Sequence, residues 1–320
     1  MPMRQPNALR FLFHLLFFIS SLAHGQSYPS KVIRIVTLEA GGGTDLISRV
    51  IAQALPQSVG QQVVVENRPG TGIAADYVAK APPDGHTLHV GGSVFWLWPF
   101  LTEKASYDPV RDFAPISLTH KAYSLIVVHP SLPVKSVREL IALAKQKPGE
   151  IDYASANAGS GSHLATELFK VMAGVDLRRI PYKGSVQAIN GVLSGDVKVI
   201  FAPATAVAPH ARAGRLRAIA VTGGEVSALY PGVPSAAADL PGYSASSIYG
   251  VFAPAKTAAA IINRLNLEIV RILNTSDARE RFSRIGIETV ASTPEEFAAA
   301  IKADMTTMGK LIKDIGIREE

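Results

Sequence analysis

The chain is 320 residues long and 48% hydrophobic, contains no cysteine, and carries a formal net charge of +6 at pH 7. The lack of cysteine excludes disulfides, thiolate metal sites and dithiol redox chemistry, and a chain of this length can build its core without them. The basic residues are scattered rather than grouped with aromatic platforms. This argues against nucleic-acid binding, whereas a mild positive charge suits small anions.

The first 25 residues are typical of a secretory signal peptide. Arg4 and Arg10 lie near its start, residues 11–23 form an apolar run, and Ala23 and Gly25 supply the small side chains of a cleavage site. The apolar run is too short to span ~30 Å of hydrocarbon. We expect cleavage after Gly25 and export to a bacterial periplasm, an oxidising compartment that also fits the lack of cysteine.

The expected mature chain opens with a short apolar strand, a glycine-rich turn and an amphipathic helix. Residues 32–36 form the predicted strand and residues 41–45 (Gly-Gly-Gly-Thr-Asp) the turn, after which apolar side chains recur at helical spacing. Such a turn presents backbone N–H groups at the positive end of the helix dipole, and glycines admit a ligand without a Cβ in the way. The pattern predicts a small anion pocket at this turn.

Strands and helices continue to alternate along the chain. Strand patterns fall at residues 62–66, 87–90, 124–128, 151–154, 197–202, 216–221 and 247–253. Helical patterns fall at residues 73–81, 137–146, 163–172, 258–273, 278–285 and 294–315. Ser136 with Glu139, and Thr293 with Glu296, predict capping boxes at two helix starts. This alternation predicts an α/β fold with mostly parallel sheets.

The opening unit has a counterpart in the second half of the chain. The strand at 151–154 is followed by a turn of small residues at 157–162 and by a helix from His163. Two such units predict two lobes, each a mostly parallel sheet flanked by helices, with a ligand cleft between them. The expected lobes are residues 26–126 with 251–320, and residues 127–250, joined by crossing strands at 124–128 and 247–253.

Two stretches resemble nucleotide-binding or catalytic signatures without completing them. Residues 70–75 match a dinucleotide fingerprint, yet Pro69 stiffens the turn and no acidic residue follows the next strand to hold a ribose. The first glycine turn lacks the lysine of a phosphate-binding P-loop. Ser160, Ser162 and His163 do not form a nucleophile elbow. We therefore interpret the two serines as hydroxyl donors to an anion or as helix caps.

Other polar and aromatic residues leave alternatives open. His86 and His89 fall on opposite faces of a predicted strand, which argues against a metal site. Asp45 either interacts with the helix dipole or accepts a hydrogen bond from a ligand amine or a bridging water. Trp96 and Trp98 either pack in the core or between lobes, or form an apolar wall of the cleft, and Tyr249 on the predicted strand at 247–253 leaves the same alternatives open.

A series of short motifs runs through nearly all of the expected mature chain. In the first half they are residues 28–29, 41–45 with Arg49, 65–70, 83–88, 107–108 and 112–115. In the second half they are residues 139–140, 144–145, 153–155, 181–184, 213–217 and 293–297. Each motif is weak alone. Together, in this order and after a signal peptide, they resemble the solute-binding receptors of the tripartite tricarboxylate transporter system, the Bug family.

The resemblance implies a two-lobed periplasmic binding protein of type II, whose lobes close on a small organic carboxylate held by main-chain amides and ordered waters. It implies a non-catalytic receptor that delivers its ligand to integral-membrane permease subunits, and we expect a monomer without cofactor or metal. By motif match, the implied ligand-binding residues are Ala40, Gly41, Gly42, Gly43, Thr44, Asp45, Ser93, Ser155, Gly159, Ser160, Ser162 and Thr205. The alternative is a sensor that binds the same ligand and signals to a membrane histidine kinase, and a hydrolase on the same fold is more distant.

The chain departs from the family pattern in places that bear on the ligand. Glu39 stands before the glycines, where a small or apolar residue is usual, and Tyr249 replaces a frequent tryptophan. Ile73 replaces a common glycine, and the loop after Phe201 lacks a usual polar residue. If Glu39 faces the pocket, its carboxylate repels a second ligand carboxylate and attracts an amine. We then expect a monocarboxylate or an amino-acid-like ligand rather than citrate; a solvent-facing Glu39 would have no such effect.

Overall fold

The computed structural model describes residues 28–38, 40, 43–284 and 286–318. The expected signal peptide, residues 1–25, lies outside the described residues, and so do Glu39, Gly41 and Gly42 of the first glycine turn. Within the described ranges, no helix combines the length and apolar character needed to cross a membrane.

Strands and helices alternate along the chain, as the sequence pattern predicts. The strands are β1 (Ile33–Thr37), β2 (Val63–Asn67), β3 (Thr87–Gly92), β4 (Phe113–Ala122), β5 (Ser124–Val128), β6 (Asp152–Ser155), β7 (Arg178–Pro181), β8 (Val199–Pro203), β9 (Arg217–Val221), β10 (Ser247–Pro254) and β11 (Ile287–Thr289). The helices are α1 (Gly43–Ala54), α2 (Pro56–Val59), α3 (Thr71–Ala79), α4 (Ser93–Leu101), α5 (Val137–Gln146), α6 (Gly161–Ala173), α7 (Ser185–Leu193), α8 (Ala204–Arg212), α9 (Ala259–Leu273), α10 (Ser276–Arg284) and α11 (Pro294–Ile315).

The first sheet has the strand order β11-β4-β10-β3-β1-β2. β1 runs parallel to β2 and β3, whereas β10 runs antiparallel to β3 and β4. Ile33 and Ile35 of β1 pack in one fully buried cluster with Ile47 and Ile51 of α1. The alternating apolar positions of the strand and the apolar stripe of the helix therefore meet, which places the start of α1 at the carboxyl end of β1.

The second sheet has the strand order β7-β6-β8-β5-β9. β6 runs parallel to β7 and β8, whereas β5 runs antiparallel to β8 and β9. The two-lobed α/β fold is thus confirmed, with sheets that are mixed rather than mostly parallel. β5 enters from the first sheet with only Tyr123 between it and β4. Because no crossover helix turns the chain around, such a strand need not run parallel to its neighbours.

The chain passes between the two sheets twice. It leaves the first sheet between β4 and β5 and returns between β9 and β10. β5 lies entirely in the second sheet and β10 entirely in the first. We therefore propose lobe boundaries at Tyr123 and shortly before Ser247, a few residues from the boundaries that the sequence pattern suggests.

The buried core continues from one half of the fold into the other. Trp96 and Phe297, from the first half, belong to the same buried cluster as Tyr153, Phe169 and Phe201 from the second. The long C-terminal helix α11 packs on α4 and β4 and also contacts α6 of the second half. The two halves thus share an apolar contact beside the cleft that separates their sheets.

Candidate functional site

A cavity of about 320 Å³ lies between the two halves of the fold. The first half lines it with the starts of α1, α3 and α4 and with Tyr249 of β10. The second half lines it with the starts of α6 and α7, Ser124 and Pro203. A cavity of this size and position suits a small-molecule ligand, so it is the candidate binding site.

Among the described residues, five α-helices begin at this cavity. The first residue of each lines it: Gly43 of α1, Thr71 of α3, Ser93 of α4, Gly161 of α6 and Ser185 of α7. Glycines precede α3, α4 and α7, and no side chain caps these three helices. The first N–H groups of a helix have no intrahelical acceptor and carry the positive end of its dipole. The wall therefore favours a negatively charged group.

Hydroxyl groups make up much of the remaining polar surface of the cavity. They belong to Thr44, Thr71, Ser93, Ser124, Ser160, Ser162, Ser185, Ser247 and Tyr249. Within the described ranges, no charged side chain lines the cavity. Recognition of an anion at this wall would therefore rest on backbone N–H groups and neutral hydroxyls rather than on an arginine or lysine.

Asp45 ties the start of α1 to the end of β2. Its carboxylate accepts hydrogen bonds from Nε of Arg49 at 2.9 Å and from Nδ2 of Asn67 at 2.8 Å. The same Nδ2 donates to the carbonyl oxygen of Leu38 at 2.9 Å. These bonds join the end of β1, the start of α1 and the end of β2. Asp45 is buried and does not line the cavity, so it positions this part of the wall.

The turn before α6 is held by hydrogen bonds among its own residues. Oγ of Ser162 accepts from the N–H of Ala156 at 3.2 Å and lies 3.1 Å from Oγ of Ser160. Oγ of Ser160 also caps α6 by accepting from the N–H of His163. Both serines line the cavity, where their hydroxyls are held in fixed positions.

The imidazole of His163 turns toward the backbone rather than toward these serines. Its Nδ1 accepts a hydrogen bond from the N–H of Gly159 at 3.2 Å. Burial, with a smaller contribution from nearby Arg179, lowers the pKa of His163 to about 4. A nucleophilic serine needs a base within hydrogen-bond reach of its hydroxyl. Ser160 and Ser162 instead form hydrogen bonds with each other and with backbone N–H groups. The described hydrogen bonds therefore pair neither serine with the imidazole of His163 as a base.

The structure brings together part of the residue set implied by the family resemblance. The residues of that set that line the cavity are Gly43, Thr44, Ser93, Ser160 and Ser162. Those that are described but do not line it are Ala40, Asp45, Ser155, Gly159 and Thr205. Gly41 and Gly42 lie outside the described residues. The set as a whole remains a prediction until a ligand is bound.

Three of the residues outside the wall have other surroundings. Ser155 is fully buried, and its Oγ accepts from Nε of Arg179 at 2.7 Å. Gly159, whose φ is +74°, lies against Leu101 of the first half, and a Cβ there would come within 2.7 Å of both Leu101 methyl groups. Thr205 is exposed on α8. Ser155 and Gly159 therefore shape the turn and the contact between the halves.

Sequence reasoning missed several residues of the wall. They are Thr71, His89, Gly91, Ser124, Ser185 and Ser247, together with the apolar side chains of α4. Gly161 lies inside the turn at 159–162 that the resemblance implies, and Tyr249 was one of the aromatic residues considered for the wall. One signal was available, since a glycine directly precedes a hydroxyl residue at 70–71, 92–93 and 184–185. Each of these pairs starts a helix at the cavity. The pattern is weak in sequence because glycine followed by serine or threonine is also common in ordinary turns.

The aromatic residues separate into core and wall. Trp96 is fully buried and donates from Nε1 to Asp304 at 2.7 Å, which places it in the core. Trp98 lines a different groove. Tyr249 lines the cavity, with its ring stacked on His120 at a centroid distance of 4.5 Å. The aromatic wall is therefore supplied by Tyr249 together with Phe95.

A second, more open groove of about 940 Å³ lies entirely within the first half. Arg34 and Arg68 of this groove both pair with Glu66, at 3.2 and 2.5 Å, and Lys80 pairs with Asp76 at 2.7 Å. These carboxylates offset the cations. In the part of the chain that the structure describes, no group of three His, Cys, Asp or Glu could hold a metal ion. The cavity between the halves therefore stays the candidate site.

Comparisons with known proteins agree with this architecture. The family model described as tripartite tricarboxylate transporter family receptor matches residues 47–317. Protein BugT of Bordetella pertussis is 35% identical over 306 residues, which cover 94% of this chain and 94% of BugT.

Two solved structures extend the comparison to the fold. A protein of R. palustris solved with adipate is 34% identical, has a TM-score of 0.77, and covers 91% of this chain and 99% of its own. MatC from Rhodopseudomonas palustris, solved with bound malate, is 28% identical, has a TM-score of 0.73, and covers 89% of this chain and 100% of its own. The similarity thus spans both halves of the fold.

Proposed function

The chain belongs to the receptor family of the tripartite tricarboxylate transporters, and on this premise we propose that it captures a small organic carboxylate in the periplasm and delivers it to membrane permease subunits. The receptor is non-catalytic. It acts as a binding protein whose two lobes close around the ligand by a hinge motion. The two passages between the sheets, at Tyr123 and before Ser247, are the proposed hinges.

The convergence of five helix starts on one uncharged cavity carries this proposal. Each helix N-terminus favours a nearby anion by about 0.3–1 kcal/mol when exposed and up to ~2 kcal/mol when partly buried. A ligand carboxylate accepts hydrogen bonds from several N–H groups and hydroxyls at once, and such charge-assisted bonds are stronger than neutral ones. The arrangement supports a small anion with oxygen acceptors.

The relatives support a carboxylate as that anion. Adipate and malate, found in the two R. palustris structures, are both carboxylates. Phosphate and sulfonate would also suit a helix N-terminus, so the chemistry of the head group needs a direct test. A screen that includes phosphate and methanesulfonate beside carboxylates separates these anions.

We further propose that the ligand is a monocarboxylate or an amino-acid-like acid. This rests on Glu39, which lies outside the described residues and directly precedes the glycine turn in sequence. Its carboxylate would oppose a second negative charge on the ligand. In a Glu39→Gln variant, citrate should bind more tightly than it does to the wild type, while a monocarboxylate changes little. Citrate binding to the wild type at least as tightly as to the variant would refute this part.

The experiment for the central proposal is a thermal-shift screen of residues 26–320. The panel holds mono-, di- and tricarboxylates, amino acids, phosphate and methanesulfonate. A ligand at about 100 times its Kd stabilises the protein by about 2.7 kcal/mol, which is a shift of several degrees for a chain of this size. Hits confined to carboxylates support the proposal. Hits confined to phosphate or sulfonate contradict it.

Delivery to a permease is tested separately from binding. A strain that lacks this protein should lose uptake of the radiolabelled acid found in the screen, and the full-length chain should restore it. A variant with impaired closure and therefore weaker binding, such as Gly159→Ala below, should restore uptake poorly. Unchanged uptake in the deletion strain would contradict a transport role.

A further inference from the structure

The histidine His89 lines the cavity but is not among the helix starts and hydroxyls that are proposed to bind the anion. His89 of β3 lines the cavity and is 1% exposed. Its ring packs edge-on against Phe95 at a centroid distance of 4.8 Å and lies 6.1 Å from the ring of Phe113 and 6.4 Å from that of Phe252. These rings hold the imidazole in one orientation.

The hydrogen bond of His89 determines which of its nitrogens carries the proton. Nδ1 lies 3.1 Å from the carbonyl oxygen of Val36. Because a carbonyl oxygen can only accept, Nδ1 must be the donor. In the neutral ring Nε2 is then a hydrogen-bond acceptor. Among the described residues, no donor to Nε2 is found.

Gly91 keeps the imidazole open toward the cavity. A Cβ at this position would lie 2.8 Å from Nε2 of His89 and 3.1 Å from Cβ of Phe95. Gly91 also lines the cavity, so the space that a side chain would fill there adjoins both the ligand site and the acceptor nitrogen. Burial lowers the pKa of His89 to about 4, which keeps the ring neutral at pH 7.

We propose that Nε2 of His89 accepts a hydrogen bond from a hydroxyl or ammonium group of the bound acid, so that the receptor prefers hydroxy or amino acids to unsubstituted acids. The inference rests on the proposed function and specifies its ligand. Serine and threonine hydroxyls in the wall can both donate and accept, whereas neutral His89 offers only an acceptor at Nε2. A carboxylate has no proton to give it, so the carboxylate lies at the helix starts and the donor group lies at His89.

Calorimetric titration with matched acids tests the inference on the wild-type protein. The pairs are propionate with lactate, butyrate with 3-hydroxybutyrate, and succinate with malate, with alanine and aspartate as the amino counterparts. In at least one series, the acid that carries the donor should bind about tenfold more tightly than its unsubstituted partner. Equal affinities throughout every series would overturn the inference.

Two variants test whether His89 causes the preference for acids that carry a hydroxyl or ammonium group. In His89→Asn, the side-chain amide can still donate to Val36 but offers no acceptor at the place of Nε2. In Gly91→Ala, the new methyl group covers Nε2. Both should reduce the preference to less than about threefold while the unsubstituted acid still binds. His129→Asn, at a half-buried histidine directly after β5 that does not line the cavity, is the control and should keep the preference.

The outcomes separate this inference from the proposed function. If carboxylates bind but the preference is absent, or persists undiminished in folded His89→Asn and Gly91→Ala, the inference is wrong and the proposed function stands. If no acid in the panel binds the wild type, the proposed function fails and the inference falls with it. If one variant does not fold, as judged by thermal unfolding, the other variant and the wild-type series still decide.

Discussion

Replacing Gly159 by alanine should impair closure of the two halves. Gly159 belongs to the turn before α6, and its backbone has φ +74°. A Cβ at this position would lie 2.7 Å from Cδ1 and from Cδ2 of Leu101, the last residue of α4 in the first half. Real carbon atoms do not approach so closely, so either the turn or the buried Leu101 side chain must shift.

The alanine adds two separate free-energy costs, one from backbone strain and one from the clash with Leu101. The left-handed backbone costs an L-residue about 1–2 kcal/mol whether the halves are open or closed. The clash with Leu101 costs about 1–3 kcal/mol and exists only where the halves meet. Because the proposed function has the two halves close around the ligand, the second cost should weaken binding. It corresponds to about a 5- to 150-fold increase in Kd.

The assay is calorimetric titration with the tightest carboxylate from the screen. Gly174→Ala is the matched control, because Gly174 ends the same helix α6 with φ +60° and has open space around it. It should lose about the same stability from backbone strain while its Kd stays within about twofold of wild type. Leu101→Ala should restore much of the affinity of Gly159→Ala. Equal Kd values for the two alanine variants would refute the reasoning, since the contact would then play no part in binding.

Three further changes test other parts of the account. Ser185→Ala, at the start of α7, should weaken binding about 2- to 10-fold by calorimetry, whereas Ser194→Ala at the end of that helix should not. Thr293→Ala removes a complete capping box and should lower stability by about 1 kcal/mol in thermal unfolding without changing Kd. His89 and His163 have pKa values lowered by burial to about 4, so the unfolded chain binds more protons, and stability should fall as pH drops from about 6.5 toward 4.

Local sequence signals predicted local structure well. Thr293 and Glu296 form both bonds of the expected capping box. Ser136 likewise caps α5 through the N–H of Glu139, although Oε2 of Glu139 accepts from the N–H of Lys135 rather than from Ser136. Such features depend on residues within one helical turn, and short-range rules describe them.

The sequence pattern did not predict helix α4 or strand β4, because their residues fit these elements only once they are buried in the fold. Helix α4 is apolar on nearly every face and contains Pro99, so no polar face marks its period. Strand β4 contains Pro115 and the buried polar residues Thr119 and His120, which hide its strand pattern. Both are recognisable only once neighbouring elements enclose them.

In the candidate site, too, some residues could be predicted from local sequence and others depend on tertiary packing. The glycine turns predicted helix starts at a ligand cavity, and Gly43 and Ser162 do line the cavity between the halves, while anion binding there stays a prediction. Which other residues line the cavity depends on how the two halves meet. Ser155 faces Arg179 within its own half, whereas His89, on a strand of the first half, reaches the ligand space because Gly91 has no side chain. No spacing rule in one chain segment distinguishes these cases.

The most direct test of the central claim compares a carboxylic acid with its own amide. The amide has nearly the same shape as the carboxylate but carries no negative charge, and so interacts less with helix N-termini. Calorimetry on residues 26–320 at pH 7 should detect binding of the best acid from the screen and at least a tenfold weaker Kd, or no binding, for its amide. Equal binding of the amide, or loss of acid affinity only on mutation far from the cavity, would contradict an anion site built from helix starts.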